Sequence, residues 1–291
     1  MTHLLILGAG FSGKAIADVF RTAGFSVAGT TRTAEKAEAL AAQGIEPILY
    51  DGETVSDVLA AAMARATHLV QSIAPGKAGD PLFRPGARPL AEALPALEWA
   101  GYLSTVGVYG DHKGAWVDEE APLHPVSARS VERVEAENRW LGFGAAADLP
   151  VAVLRLSGIY GPGRNALRNI EEGTARRLIK AGQVFNRIRV EDIGAASLFL
   201  AEKGLGGIFN ITDDEPGPPQ DVVAEAARLM GVPVPPDTPF ETAELTPMAR
   251  SFWGENKRVS NAKIKAAGFA FRFPDYRRSL AELHASGRWR G

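Results

Sequence analysis

The chain has 291 residues, a net charge of −2, 46% apolar and 23% charged residues, and no cysteine. That length allows one large domain, or a core domain with a smaller companion, in a folded globular protein. The composition excludes disulfides, thiolate metal sites and a cysteine nucleophile, it leaves no basic footprint for nucleic acid, and no apolar run is long enough to span a bilayer.

In chain order, short β-rich runs alternate with helical ones. The strands expected are "HLLILG" (3–8), "FSVAGTT" (25–31), "IEPILY" (45–50), "THLVQSIA" (67–74), "WAGYLST" (99–105) and "LPVAVLRLS" (149–157). Helical segments lie between them, several closed by glycine, including one near 89–98 and "SARSVERVEAENRWLG". Strand and helix in strict alternation imply an α/β fold, a doubly wound parallel (Rossmann) sheet with helices on both faces. After about residue 158 the pattern breaks into Pro- and Gly-rich pieces: "IYGPGRN", a helix near 166–181, "VFNRIRVEDIGAASLFLAEKG", a strand "GIFNI" and a Pro-rich stretch at 231–239. The expected division is therefore a dinucleotide-binding domain over 1–158 and a smaller, mostly helical substrate domain over 159–291, with 184–211 packing back on the first. The apolar run at the start reaches glycine too soon for a signal peptide, and a cytoplasmic protein is expected.

Gly8, Gly10 and Gly13 in "GAGFSG" form G-x-G-x-x-G between a strand and a helix, with Phe11 and Ser12 between the second and third glycines. The first permits a tight turn, the second admits a pyrophosphate to the backbone, and the third lets helix and strand pack closely. At the end of the second strand an acidic residue would select NAD by bonding the ribose 2′-hydroxyl, whereas an arginine accepts a 2′-phosphate. Here stand Thr30, Thr31 and Arg32, so NADP(H) is the expected cofactor ahead of NAD; an arginine solvated at a helix start is the plainer alternative for Arg32. Asp51, after the third strand, suits either the cofactor or a turn, and Ser72, after the fourth, joins the cofactor candidates.

Several ordered motifs resemble the short-chain dehydrogenase/reductase superfamily in its extended or atypical branch, the NAD(P)-dependent epimerase/dehydratase family. "GAGFSG" is similar to its glycine loop, with Leu7 where extended members usually carry one more glycine. "STVGVYGD", "DEEAPLHP", "LRLSGIYGPGRN" and "RIRVEDIGAASL" resemble later segments of the family, so the resemblance covers nearly the whole chain. It implies that Thr105 is catalytic, that the substrate is a small molecule such as a nucleotide sugar, and that helices equivalent to 89–98 and 127–141 pair in a homodimer.

The resemblance breaks in "PVSARSVERVEAE" (125–137), where the family carries a proton-transferring Tyr and, one turn later, a Lys. Arg129 and Arg133 occupy those positions, and arginine stays protonated, so it serves as neither acid nor base. Their spacing puts both on one helix face, either as a clamp for an anionic substrate or as part of a solvated face. Tyr109-Gly-Asp-His-Lys113 matches the dyad by spacing, but a Gly-Asp pair belongs to a loop. Tyr109 alone stands as a substitute acid or as a packing residue. Arg164 and Arg187 join the substrate candidates with solvation as the default, Arg155 either braces the pocket or pairs in the core, and Asp192 is expected to cap the helix that follows it. His112 and His124 lie in polar loops without metal spacing, and no metal site is expected.

Two functions remain open. One is an NADP-dependent oxidoreductase or epimerase using Thr105 with Tyr109 or water. The other is a non-catalytic NADP(H)-binding sensor that keeps the fold without the dyad.

Overall fold

The computed structural model describes residues 2–84, 86–246, 250 and 252–291. A seven-stranded sheet runs in the order β11-β7-β5-β4-β1-β2-β3. Its strands are β1 (His3–Leu7), β2 (Ser26–Thr31), β3 (Glu46–Leu49), β4 (His68–Gln71), β5 (Trp99–Thr105), β7 (Val151–Leu156) and β11 (Gly207–Ile211). β1 pairs in parallel with both β2 and β4, β2 with β3, and β4 with β5. Strand order reverses between β1 and β4, and at such a switch point the loops after the strands part and leave a crevice. Nearly every residue of β1, β4, β5 and β7 is buried, as a sheet covered on both faces requires.

The flanking helices follow from apolar periodicity. In α1 (Phe11–Thr22) the buried residues Gly13, Ile16, Ala17 and Phe20 recur at helical spacing and form one stripe. α2 (Ala34–Ala41) and α3 (Asp57–Arg65) are each started by a hydroxyl cap, Thr33 accepting from the Lys36 amide and Ser56 from the Leu59 amide. The helix expected near 89–98 shortens to α4 (Leu90–Ala93), because Pro95 disfavours helical geometry at Leu94, which sits at φ −127° and ψ 58°. α5 (Ala128–Ala147) begins at the Ser127 cap and ends on Asp148 in the left-handed region.

The chain divides into two compact units. One comprises Met1–Val108, Pro125–Arg155 and Ile193–Phe209; the other comprises Tyr109–His124, Leu156–Asp192 and Asn210–Gly291. The second is built on three short parallel strand pairs: β8 (Gly158–Tyr160) with β10 (Arg187–Arg189), β9 (Arg177–Ile179) with β12 (Asp237–Pro239), and β6 (Trp116–Val117) with β13 (Arg258–Val259). Its helices include α6 (Ala166–Glu171), α8 (Pro219–Met230) and α9 (Tyr276–Ser286), and Leu167, Ala226, Tyr276, Leu280, Leu283 and Trp289 form a shared core. The helix expected over 166–181 stops at Glu171: Gly173 turns left-handed at φ +67°, and the amides of Thr174 and Ala175 both fold back onto the Asn169 carbonyl. α7 (Val190–Glu202) begins in the second unit and continues into the first. Asp192, expected to cap it, lies inside it, and its buried carboxylate accepts from the Arg272 and Phe273 amides at 2.9 and 3.0 Å. Among the described residues no helix is long and apolar enough to cross a membrane.

Candidate functional site

The three glycines meet three different constraints. Gly8 has φ +87°, and a β-carbon there would stand 3.0 Å from the Ile73 side chain. Gly13 packs its helix so closely on β1 that a β-carbon would meet the Gly8 carbonyl at 3.0 Å and Ile6 Cγ2 at 3.2 Å. Gly10 is otherwise: a β-carbon there would project into open space. The protein itself does not require that glycine, and the space beside it is where a phosphate group would approach the backbone. No side chain caps α1 and its first turn holds no acid, so its N-terminal dipole is not countered locally.

Thr30 holds the loop in place. Only 1% exposed, it accepts the Gly8 amide on Oγ1 at 2.8 Å, while its carbonyl accepts the Ala9 amide. Its hydroxyl oxygen therefore supports the glycine turn. Beyond it opens a cleft of about 740 Å³ lined by Gly8, Gly10, Phe11, Thr31, Arg32 and Asp51, and also by Lys14 and Lys36. Sequence reasoning missed the two lysines; the signal was available, since each falls in the first turn of a helix that follows a strand facing the crevice. Asp51 Oδ1 accepts the amides of Glu53 and Thr54, and those bonds hold the exposed carboxyl below its usual range. It thus closes a turn while lining the cleft. Ser72 gives its amide to the Leu7 carbonyl, and its neighbours Ile73 and Ala74 line the cleft.

Thr105 ends β5, and its Oγ1 accepts the Gly107 amide at 3.1 Å. A β-carbon on Gly107 would lie 3.4 Å from Thr105 Oγ1 and 3.3 Å from Ser130 Oγ, so two hydroxyls flank this glycine. Ser130, buried on the first turn of α5 and bonded to Ser127 Oγ at 2.9 Å, was not foreseen; it lies between two arginines that drew attention by their charge.

Those arginines part company in the structure. Arg133 is half-buried, donates through Nη1 to the Leu103 carbonyl of β5, and lies over the Tyr102 ring with 5.9 Å to its centroid. Arg129 is exposed. One turn beyond Arg133, Glu137 is buried and bonded to Arg155 and to Ser104 Oγ, so Arg155 pairs within the core.

In the second unit the Tyr109 hydroxyl is buried and donates to Asn210 Oδ1 at 2.7 Å. Lys113 is exposed with φ +53°, so Tyr109 and Lys113 are not successive positions on a helix face. Gly110 is obligatory in this loop: at φ +69° a β-carbon would overlap the His124 carbonyl oxygen at 1.9 Å. Arg164 is exposed in the tight turn closed by the Gly161 and Arg164 backbone bonds. Arg187 donates through Nη1 to the carbonyls of Phe185 and Gly217. His112 and His124 face one another at 5.5 Å between ring centroids, and among the described residues no three His, Asp or Glu side chains converge to hold a metal ion.

Comparison with known proteins gives this arrangement its context. The model of the NAD dependent epimerase/dehydratase family matches residues 4–212. Protein YeeZ of Escherichia coli K12 is 29% identical over 289 residues, covering 94% of this chain and 97% of YeeZ. A 3-diazoavenalumate denitrifying reductase of Streptomyces is 33% identical over 141 residues, covering 44% of each chain. The solved structure of a conserved protein from Silicibacter pomeroyi DSS is 44% identical with a TM-score of 0.88, covering 99% of both chains. The chain belongs to the NAD-dependent epimerase/dehydratase family.

Proposed function

We propose that the protein binds NADP(H) and acts as an oxidoreductase or epimerase on a small-molecule substrate. The observation that carries the reading is the set of cations in one cleft: Lys14, Arg32 and Lys36 line the space beside Gly8 and Gly10, where a 2′-phosphate adds negative charge to the pyrophosphate. The related Streptomyces protein is named a reductase, which favours redox chemistry. When bound, the nicotinamide supplies or accepts hydride. The chain's task is then to hold a substrate oxygen and admit a proton, and we assign the holding to the hydroxyls of Thr105 and Ser130. Arg133, committed to the Leu103 carbonyl, acts as a brace between α5 and β5. Tyr109, committed to Asn210, acts as an anchor of its loop, which leaves water as the proton carrier.

A second reading, a non-catalytic NADP(H) sensor, is favoured by one observation: α5 carries Arg129 and Arg133 where a proton-transferring pair would sit. Turnover separates the two. Incubation with NADPH and a panel of carbonyl compounds, followed at the nicotinamide absorbance, oxidises the cofactor if the first holds and leaves it unchanged if the second does. Binding is tested by titrating wild type and Arg32→Ala with NADPH and NADH. Loss of one contact to the 2′-phosphate weakens NADPH by about 1.5 to 3 kcal/mol and spares NADH, whereas equal NADPH affinity in both proteins overturns the assignment. We also propose a homodimer through α5, on which Val131 is exposed; a monomer in light scattering at micromolar concentration overturns that.

A further inference from the structure

A second cavity, of about 470 Å³, opens in the first unit between α3 and α4 and shares no lining residue with the cleft beside the glycine loop. The buried part of its lining is apolar: Met63 of α3, Leu82, and Leu90 of α4. Val55 and Ala60 line it from exposed positions. Because α4 lasts only one turn, residues 86–89 reach it as loop, and a β-carbon on Gly86, at φ +82°, would meet nothing within 4 Å. A loop in place of a second apolar helix stripe leaves a space whose volume falls in the range that takes small ligands.

The polar part of the lining centres on Arg84. Its Nη1 is used twice, donating to the Gly52 carbonyl at 2.8 Å and pairing with Glu53 at 2.6 Å. Its Nε is buried without a hydrogen-bond partner among the described residues, and Nη2 bonds none of them either. These two nitrogens form one edge of the guanidinium, and their parallel N–H groups match the two oxygens of a carboxylate. Buried donors are rarely left unmatched, so a free edge beside an apolar wall calls for an acceptor. Glu53 sits on Nη1 and its side chain is 70% exposed, so solvent screens its charge. Arg88 also lines the cavity and meets Glu92 only across 3.6 Å in an exposed pair. The charged lining is therefore Arg84 and Arg88 against Glu53, an excess of one positive charge.

We propose that this cavity binds a small apolar carboxylate, with the acid on the Nε–Nη2 edge of Arg84 and the hydrocarbon body against Met63, Leu82 and Leu90. A guanidinium edge alone would take acetate as readily; the apolar wall selects an acid with an aromatic or branched body. The site goes beyond the nucleotide reading and does not rest on it. Asp51 lines the cleft while Glu53 and Thr54 line the cavity, so the turn that Asp51 Oδ1 closes by accepting their amides stands between the two.

The test uses the full chain and the 19F linewidth of 4-(trifluoromethyl)phenylacetate. Wild type gives saturable broadening, which phenylacetate reverses at far lower concentration than phenylacetamide or acetate does. Arg84→Lys keeps a cation but loses the fork, and weakens binding roughly 10- to 100-fold. Glu53→Gln removes the competing carboxylate and tightens binding roughly 2- to 5-fold, the worth of an exposed ion pair. Ala60→Trp, at an exposed helix position, fills the cavity and abolishes saturation at unchanged Tm. Broadening that does not saturate at tens of millimolar, equal competition by phenylacetamide or acetate, a Glu53→Gln protein that binds no tighter, or wild-type affinity in Arg84→Lys or Ala60→Trp overturns the proposal. Saturating NADPH leaves the broadening unchanged; displacement of the probe by NADPH would make the cavity an end of the nucleotide cleft and overturn the proposal too. Probe binding in a protein that fails to bind NADPH would reject the nucleotide assignment alone.

Discussion

Glu137 on α5 and Arg155 on β7 form an ion pair of 2.8 Å in which each side chain is 2% exposed. Arg155 Nε and Nη2 both donate to the carboxylate, and Ser104 Oγ adds a third donor at 2.5 Å from β5. The pair thus ties one helix to two strands, in a helix whose other acids are more exposed. Removing one partner strands a buried charge: Glu137→Leu is expected to cost about 3–5 kcal/mol in urea unfolding. Glu137→Leu with Arg155→Met should recover most of that loss, because the desolvated charge goes with its partner. If the double variant is as unstable as the single one, packing rather than charge governs the site.

Gly10 and Gly13 should respond oppositely to alanine. Gly13→Ala places a methyl 3.0 Å from the Gly8 carbonyl and should destabilise the fold by about 1–3 kcal/mol. Gly10→Ala puts its methyl into open space, so thermal stability should stay near wild type while dinucleotide affinity falls. A Gly10→Ala protein that binds NADPH normally would remove the cleft from consideration.

Thr30 and Thr31 are neighbours with different duties. Thr30→Val strips the Gly8 amide of its acceptor and should cost about 1–3 kcal/mol, whereas Thr31→Val, at the half-exposed cleft wall, should leave unfolding within about 0.5 kcal/mol of wild type. Chemical denaturation of the two variants distinguishes them.

Asp80 gives a pH signature. Burial raises its pKa against the lowering effect of bonds from the Leu82 amide, Trp140 Nε1 and Gln71 Nε2. A carboxyl whose folded pKa lies above its unfolded value favours folding while protonated. That contribution is complete below the unfolded pKa and is lost as pH rises through the raised value. Asp80→Asn cannot ionise, so its stability relative to wild type should improve as pH climbs across that window. A stability difference that is flat with pH would show that Asp80 has no raised pKa in the folded state.

Tyr109→Phe should cost about 1–3 kcal/mol, since Asn210 Oδ1 loses its buried donor. Any NADPH-dependent turnover per folded molecule should persist. Loss of turnover at unchanged stability would instead return Tyr109 to the role of acid.

The local grammar of the chain carried a large part of this architecture. Apolar runs of β-sheet length, glycine punctuation and the G-x-G-x-x-G spacing announce the doubly wound sheet, because each depends on backbone conformations and burial periods that neighbouring residues set. The glycine loop and Thr31–Arg32 were legible for the same reason. Short elements were not: the helix expected to reach residue 181 ends at Glu171, and the paired strands of two or three residues in the second unit are too brief to show a period. Nor could sequence say which of the charged residues on α5 faces inward. Arg133 meets a carbonyl of β5 and Glu137 meets Arg155, while Arg129 stays exposed. Partners 18 or 30 residues distant in sequence are chosen by the packing of helix on sheet.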